Sequence, residues 1–397
     1  MVATVAIAGA GIAGVAAGLA LARAGWSVCI VEQAPELGEV GAGLQMSPNA
    51  TRVLDWLGVL DVVSDGAFHP QAAVMKDGRT GEEIYRAALG QGAQDRWGSV
   101  YLHVHRADLL NALARAAERA GVTLRLGTQV ERVVEHPDSA SLHLSNGTVL
   151  KADLVIGADG IRSRLRQAFN VEEEPRFTGQ VAWRGLIPAD RVPADLVAPD
   201  VTVWAGDARH LVTYYLRGGD LINFIAVQEQ DDWVEESWSV PGDPDGLRAA
   251  FSHWDPKVRA LLDQVDTCYL WGLFDRPEQV RWVDHRFALI GDAAHPMLPF
   301  MAQGAAQALE DVASLVRHLG DGDDIEPSLV RWEEERWPRV ARIMKQSRDN
   351  GRMFHRPEGT LRTISRSIIG FVSRTSPSTA AARLDWLYGY DPVRGRG

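Results

Sequence analysis

The chain has 397 residues, enough for one large domain or two domains with a substantial core. Its 41 Lys and Arg residues against 52 Asp and Glu residues give a net charge of −11, which opposes non-specific binding to nucleic acid or to an anionic membrane. Cys29 and Cys268 show neither the spacing of a disulfide scaffold nor that of a zinc site. With no basic segment typical of a signal peptide at the N-terminus, we predict a soluble cytoplasmic protein that binds a small molecule and no metal.

The N-terminal segment predicts a strand–helix–strand unit. Apolar residues at 4–8 and 27–32 predict two strands, and small residues at 12–24 predict a helix that ends at Gly25. The strands are continuously apolar and do not alternate, which is typical of a parallel sheet buried on both faces.

The turn between the first strand and the helix has the pattern G-x-G-x-x-G, with Gly9, Gly11 and Gly14. Such glycines allow a tight turn, a close approach of a pyrophosphate and close packing of helix against strand. Glu32, at the end of the second strand, is placed to accept hydrogen bonds from an adenosine ribose. The unit predicts a dinucleotide site, without distinguishing NAD from FAD.

A second glycine-rich segment at residues 38–45 would let the main chain lie along the edge of a flat cofactor, the alternative being a flexible surface loop. Residues 48–57 and 109–120 predict helices. Arg106, just before the second of these, would contact a cofactor phosphate or ribityl chain, or form a surface salt bridge. Two strands and a hairpin are predicted at residues 122–126, 130–134 and 142–149.

Two further apolar strands each end at a carboxylate. Asp159 follows one strand and begins the string D-G-x-x-S-x-x-R, where a basic helix is predicted; capping of that helix is the alternative role for Asp159. Asp292 follows the strand at residues 287–290 and suits a ribityl hydroxyl. A helix beginning near Gly304 would direct its positive end at an anionic reduced flavin ring. We interpret His295 as structural rather than catalytic.

Together these motifs resemble the class A flavoprotein monooxygenases, the single-component FAD-dependent aromatic hydroxylases typified by 4-hydroxybenzoate hydroxylase. Residues 41–45, residues 301–306 and the strand with His210 and Tyr214 are similar to a narrower branch: salicylate hydroxylase, 3-hydroxybenzoate 6-hydroxylase and 6-hydroxynicotinate 3-monooxygenase. The chain departs from many class members at Gln33, where they have Arg. Flavin halogenases have the motif W-x-W-x-I-P. Residues 183–188 of this chain match it except for the second Trp, which is Gly185, so a halogenase is disfavoured.

The resemblance implies an α/β fold with a Rossmann-like FAD-binding domain built from discontinuous segments, an inserted antiparallel β-rich substrate domain and a helical C-terminus. The FAD domain would comprise residues 1–72, 99–178 and 276–355, the substrate domain residues 73–98 and 179–275, and the C-terminal extension residues 356–397. The implied FAD-binding residues are Gly9, Gly11, Gly14, Glu32, Gly43, Leu44, Arg106, Val130, Asp159, Asp292, Pro299, Gly304 and Ala305. The implied substrate-binding residues are Gln45, Met46, Trp183 and Gln303.

Strands predicted at residues 201–205, 211–216 and 221–227 would form an antiparallel sheet over the flavin, with a turn at Gly218. His210 and Tyr214 share one face of the middle strand, about 13 Å apart along the backbone, so they could bracket a small ring. We predict that His210 is the base and that Tyr214 orients the substrate. The alternative is that His210 is only a structural histidine hydrogen-bonded within the sheet and that Tyr214 only packs against its neighbours.

In the chemistry that the resemblance implies, NAD(P)H reduces FAD, O2 adds at flavin C4a, and the resulting hydroperoxide hydroxylates an electron-rich ring. Salicylate, giving catechol with loss of CO2, is the first choice; 3-hydroxybenzoate and 6-hydroxynicotinate are the alternatives. NADH is favoured over NADPH by resemblance only. A flavin-independent NAD dehydrogenase and a non-catalytic flavin-binding redox sensor are rival functions. A homodimer through the C-terminal helices is compatible with the sequence, although no heptad pattern supports one.

The C-terminal region predicts helices from residue 327 onward, with Pro338 as a kink or boundary. The acidic residues 320–324 lack the remaining ligands of a calcium loop and predict a solvated turn. The apolar residues 364–372 are too few to span a bilayer and predict a packed helix.

Overall fold

The structure, a computed structural model, describes residues 2–38, 43–169, 175–233, 240–276, 281–320, 324–357, 359 and 381–395. Its strands are β1 (Thr4–Ala8), β2 (Ser27–Val31), β3 (Gly43–Met46), β4 (Ala72–Asp77), β5 (Glu83–Ala88), β6 (Leu102–His105), β7 (Thr123–Arg125), β8 (Val130–His136), β9 (Ser139–Leu144), β10 (Val149–Ala152), β11 (Leu154–Gly157), β12 (Arg176–Pro188), β13 (Val201–Ala205), β14 (Arg209–Leu216), β15 (Leu221–Glu229), β16 (Pro241–Gly242), β17 (Cys268–Asp275), β18 (Val283–Asp284) and β19 (Phe287–Leu289). Its α-helices are α1 (Ile12–Arg23), α2 (Pro48–Trp56), α3 (Leu60–Asp65), α4 (Gly90–Trp97), α5 (Arg106–Arg119), α6 (Pro244–Ala250), α7 (Pro256–Leu262), α8 (Gly304–Leu319), α9 (Ile325–Phe354) and α10 (Asp385–Tyr388).

A six-stranded sheet brings the three predicted motifs together. Its order is β18-β19-β11-β1-β2-β7, and β1 pairs in parallel with both β2 and β11, while β11 pairs in parallel with β19. Parallel neighbours end at the same edge, so the glycine turn after β1, Asp159 after β11 and Asp292 after β19 lie side by side. Helices α1, α5 and α8 pack with this sheet in the largest hydrophobic core. The α/β fold with a Rossmann-like unit is confirmed.

An eight-stranded sheet forms the second layer, in the order β16-β17-β12-β15-β14-β13-β4-β5. All its pairings are antiparallel except that between β13 and β4. This parallel pair joins residues 72–88 to the strands of residues 176–275. The three strands predicted in the middle of the chain are β13, β14 and β15, and Gly218 has a φ of 65° in the turn between the last two. The numerical domain boundaries stay a prediction.

Several predicted elements differ from the structure. The helix expected after Asp159 is a single 3-10 turn, Leu165–Phe169. The expected loop at residues 38–45 contains β3, which pairs with β6; residues 39–42 lie outside the described residues. The predicted helix at residues 364–372 and residues 321–323 of the acidic turn also lie outside the described residues. Within the described part of the chain, no helix is both long enough and apolar enough to cross a membrane.

The sequence predicts that Pro338 kinks a helix or ends one. The proline does not end one, because α9 continues through it to Phe354. A proline removes the hydrogen bond to the carbonyl four residues earlier. Pro338 and Glu334 are both exposed, so water can hydrate the freed carbonyl. The buried neighbours Arg336 and Val340 hold the helix on either side of the proline.

Candidate active site

The glycine turn has no room for side chains at two of its three positions. Gly9 has a φ of 99°, and a methyl group there would overlap the carbonyl oxygen of Ala158. A methyl group at Gly14 would overlap the carbonyl oxygen of Gly9. Gly11 precedes α1 with extended backbone and lines the cavity described below. The loop therefore exposes its backbone at the positive end of α1, as a pyrophosphate requires.

Glu32 holds this loop in place. Its Oε2 accepts a hydrogen bond from the backbone N–H of Ala10 at 2.8 Å, and its Oε1 accepts one from Ala34 at 2.9 Å. Each carboxylate oxygen keeps a further lone pair, which a ribose hydroxyl could use. Val130 begins β8 near the same sheet edge, where Thr128 donates its N–H to the Glu32 carbonyl oxygen at 2.9 Å.

Asp159 has one oxygen engaged and one free. Its Oδ2 accepts from the backbone N–H groups of Arg164 at 2.8 Å and Leu165 at 3.2 Å, which is the capping role considered as the alternative. Its Oδ1 is buried and has no hydrogen-bond partner. A buried oxygen of this kind is an acceptor for a ligand hydroxyl.

The turn after β19 is fixed by buried ion pairs. His295 Nε2 lies 2.6 Å from Asp311 Oδ2, the same oxygen that accepts from the Gly291 N–H at 2.9 Å. Burial raises the pKa of Asp311, but His295 and Arg336 outweigh it and the net pKa is lowered. These contacts account for His295 as a structural residue. They present Asp292, which is exposed and lines the cavity, at the end of the sheet.

A cavity of about 1000 Å³ lies between the two sheets. Gly304 and Ala305, the first two residues of α8, line it together with Pro299. The free N–H groups of the 16-residue helix are thus directed toward the cavity. Leu44 and Arg106 also line it.

The eight-stranded sheet supplies the opposite wall, where His210 and Tyr214 lie four residues apart on the same face of β14. A methyl group on Gly43 would lie 2.6 Å from the Tyr214 ring, so the β3 backbone rests directly against the tyrosine. Gly43 also donates its N–H to Asn223 Oδ1 at 3.0 Å, which ties β3 to β15.

The protonation states of the two β14 side chains follow from burial. His210 is 2% exposed, and burial, with His355 nearby, lowers its pKa well below the ordinary value. Tyr214 is 1% exposed, and burial raises its pKa above 10. At neutral pH the cavity therefore contains an uncharged imidazole and a protonated phenol.

The predicted substrate residues divide into two groups. Met46 and Gln45 line the cavity, and Gln45 Oε1 accepts a hydrogen bond from the Tyr101 hydroxyl at 2.8 Å. Gln303 also borders the cavity, but its side-chain amide is bonded to Ser47, Asn49 and Gln307.

Trp183 is not brought to the cavity. It lies on the far face of β12 in a separate hydrophobic cluster, because successive side chains of a strand point to opposite faces. Its neighbour Arg184 faces the cavity instead, with its guanidinium 4.9 Å from the centre of the Trp271 ring. Burial lowers the pKa of Arg184, and Arg106 lowers it further.

Sequence reasoning missed Arg184, Tyr101, His103 and His355. Trp183 and Arg184 are neighbours on β12, so only one of them can face the cavity, and that one is Arg184. His103 packs 4.7 Å from the Tyr214 ring, and burial lowers its pKa to about 3. No motif indicates either His103 or Tyr101: Tyr101, which lines the cavity, directly precedes β6, and His103 is held behind Tyr214 by the pairing of β6 with β3.

The sequence profile of the FAD binding domain family matches residues 2–347. The chain belongs to this family. It is 37% identical to a 3-amino-4-hydroxybenzoate 2-monooxygenase of Streptomyces platensis, over 99% of this chain and 98% of the relative. It is 34% identical to 3-hydroxybenzoate 6-hydroxylase 1 of Aquipseudomonas alcaligenes, over 98% of both chains. It is 37% identical to 6-hydroxynicotinate 3-monooxygenase of Bordetella bronchiseptica, over 87% of this chain and 91% of the relative.

Solved structures give the same fold. Klebsiella pneumoniae HpxO in complex with FAD and uric acid superposes with a TM-score of 0.84 at 25% identity, over 99% of this chain and 97% of the other. A salicylate hydroxylase substrate complex gives a TM-score of 0.84 at 24% identity, over 100% of this chain and 97% of the other. The protein is thus an FAD-dependent aromatic monooxygenase. The glycine turn, the unpartnered Asp159 oxygen and the N-terminus of α8 fit a bound FAD.

Proposed function

We propose that this monooxygenase hydroxylates the ring of a small hydroxylated aromatic carboxylate, with O2 and NAD(P)H as co-substrates and NADH as the first reductant to test. One observation carries the proposal. His210 and Tyr214 line the same cavity as β3 and the N-terminus of α8, which are the segments predicted to hold the flavin ring. A substrate ring bound there would meet a base, a hydroxyl group and the flavin together.

The relatives guide the choice of substrate. Those that are 34–38% identical are named for 3-amino-4-hydroxybenzoate, 3-hydroxybenzoate and 6-hydroxynicotinate. Each of these compounds combines a ring carboxylate with a ring hydroxyl. The salicylate hydroxylase, at 24% identity, supports the fold alone. We therefore place 3-amino-4-hydroxybenzoate before salicylate, the first choice from the sequence, and keep the other two as alternatives.

The residues of the cavity suit such a ring. FAD, when bound, supplies the reduction of O2 to a species that delivers an electrophilic oxygen. A ring hydroxyl that has lost its proton makes the ring a far stronger nucleophile. The neutral His210 imidazole can take that proton, and the Tyr214 hydroxyl can donate a hydrogen bond to the substrate because its raised pKa keeps it protonated.

The N-terminus of α8 and Arg106 act on the cofactor side. The helix amides face the cavity and favour negative charge there, as does the Arg106 guanidinium. The residues expected to hold FAD are Gly9, Gly11, Gly14, Glu32, Gly43, Leu44, Arg106, Val130, Asp159, Asp292, Pro299, Gly304 and Ala305.

The test measures NADH or NADPH consumption and O2 uptake by the flavin-loaded protein with hydroxybenzoates, aminohydroxybenzoates and hydroxynicotinates, with products identified. We expect one member of the panel to stimulate both rates and to yield a ring-hydroxylated product. Flavin-containing protein with no stimulated turnover would support the redox sensor instead. A colourless preparation that oxidises an alcohol with NAD would support the dehydrogenase.

Variants test the assigned roles. His210→Ala should retain FAD and lose hydroxylation by roughly 10²–10⁴-fold, the usual contribution of a positioned base. Tyr214→Phe should mainly raise KM, because it removes an orienting hydrogen bond and keeps the ring. Unchanged product formation at saturating substrate in His210→Ala would remove His210 from the mechanism.

A further inference from the structure

A chain of three titratable side chains leads from the cavity to the protein surface. His210 Nδ1 lies 2.6 Å from His355 Nε2, and His355 Nδ1 lies 3.1 Å from Glu229 Oε1. His210 is 2% exposed, and the side chains of His355 and Glu229 are 2% and 51% exposed. The three groups form an unbroken hydrogen-bonded path from a buried cavity wall to solvent.

The fold builds this path from elements distant in sequence. On the sheet, His210 of β14 pairs with Val227 of β15, and Glu229 lies two residues further along the same face. His355 directly follows the last residue of α9 and reaches across to both strands. The ring centres of Phe300 and Phe354 lie 5.4 and 5.2 Å from that of His210. His210 is therefore in contact with two apolar rings in addition to the polar His355.

We propose that His355 and Glu229 carry to solvent the proton that His210 removes from the substrate's ring hydroxyl. This inference rests on the proposed function, because it needs a substrate that loses a proton in the cavity. It makes His355 and Glu229 positioning and relay residues that act through His210.

The environment of His210 explains why an outlet is needed. Burial and the adjacent His355 both lower the pKa of His210, so an imidazolium there is unfavourable. A proton that stayed on His210 would be returned to the substrate. The pKa of His355 is also lowered by burial, but Glu229 partly opposes that effect by bonding to it.

One assignment of tautomers makes the path continuous from the cavity to Glu229. A carboxylate only accepts, so in the tautomer that bonds to Glu229 His355 carries its hydrogen on Nδ1 and accepts on Nε2 from His210 Nδ1–H. The remaining nitrogen of His210, Nε2, is then the basic atom available to a ligand in the cavity. Gln180 Nε2, which is also a donor, lies 3.2 Å from the same His355 Nδ1 and does not bond to it in this tautomer. The backbone N–H of Ala208 donates to the His355 carbonyl oxygen at 3.4 Å.

The transfer balances in three steps. The substrate O–H bond breaks as an N–H bond forms at His210 Nε2, and the hydrogen on His210 Nδ1 passes to His355 Nε2. The hydrogen on His355 Nδ1 then passes to Glu229, which releases it to water. The reverse transfers return one proton to the product phenolate before it leaves and restore both rings to their resting tautomers.

The test follows proton release by stopped-flow with a pH-indicator dye, when 3-amino-4-hydroxybenzoate is mixed with the oxidised, FAD-loaded enzyme. Phenolate absorbance is recorded in parallel, so no turnover is needed. We expect wild-type protein to release a proton as the phenolate band appears. In Glu229→Gln and in His355→Phe, both signals should slow on the order of tenfold or more, with ligand affinity nearly unchanged.

Controls separate a relay from a structural role. Glu229→Asp should restore much of the rate, while Asp231→Asn, an exposed acid on the same segment that makes no hydrogen bond with His355, should match wild type. Because Glu229 is half-exposed, its variants remain informative if His355→Phe fails to fold. Wild-type release rates in Glu229→Gln, or no proton release in wild type, would overturn the relay. Failure of the whole aromatic panel in steady-state turnover would instead overturn the proposed function.

Discussion

Replacing Arg336 with Met should strongly destabilise the protein. Arg336 is 0% exposed; its Nε donates to Asp311 Oδ1 at 2.9 Å and its Nη1 to Glu310 Oε2 at 2.6 Å. Both carboxylates are also 0% exposed. Met would fill much of the space but would leave two buried negative charges short of a partner. Breaking a buried ion pair in this way costs about 3–5 kcal/mol.

The cost is set by what remains around the carboxylates. Asp311 keeps His295 and Glu310 keeps Arg339, so neither becomes an isolated charge. The assay is urea unfolding of the FAD-loaded protein, followed by tryptophan fluorescence and by the fluorescence of released flavin. We expect flavin release to move to lower urea together with unfolding, because Asp311 also holds the turn at Gly291.

The matched control is Arg348→Met on the same helix. Arg348 pairs with Asp275 at 2.9 Å, but both side chains are 26% exposed, so the pair should contribute less than about 1 kcal/mol. Equal losses of unfolding free energy in the two variants would refute the reasoning that burial sets the cost.

The stability provided by the buried ion pairs of Arg336 with Glu310 and Asp311 should depend on pH. Burial raises the pKa of Glu310, but Arg339 and Arg336 outweigh it and the net pKa is lowered, as it is for Asp311. A lowered folded-state pKa adds stability above the unfolded values of 4.5 and 3.8, and that stability is lost as the pH falls through the folded-state values. The difference in urea midpoint between wild type and Arg336→Met should therefore shrink as the pH falls below the unfolded values of 4.5 and 3.8. A difference that stayed constant through that range would contradict this account.

Three further substitutions test local features. Ala302 has a φ of 51°, which costs a non-glycine residue about 1–2 kcal/mol, so Ala302→Gly should raise the melting temperature despite the entropy of glycine; a fall would contradict the strain. Gly43→Ala should lower kcat by about tenfold or more, because its methyl would lie 2.6 Å from the Tyr214 ring, and unchanged turnover would show that the ring can move without consequence. Trp183→Phe should reduce the free energy of unfolding by about 1–2 kcal/mol and leave KM unchanged, since Trp183 packs on the far face of the sheet; a raised KM would return it to the cavity.

The sequence predicted the features that depend on neighbours along the chain. Apolar runs and glycine positions defined β1, α1 and β2, and the parallel order of such strands implied that their carboxyl ends meet. Two-residue alternation put His210 and Tyr214 on one face of β14. The left-handed backbone of Ala302, a conformation that favours glycine, could not be predicted from the alanine itself.

The tertiary structure decided which partners these residues meet. Alternation alone could not tell whether Trp183 or Arg184 faces the cavity, because either face of β12 is compatible with the pattern until a second layer covers one of them. The contact of His210 with His355 spans 145 residues, and that of Asp311 with Arg336 joins two separate helices. Local periodicity follows from backbone geometry, whereas contacts of this kind depend on how the helices and sheets pack, and no short segment of sequence contains that information.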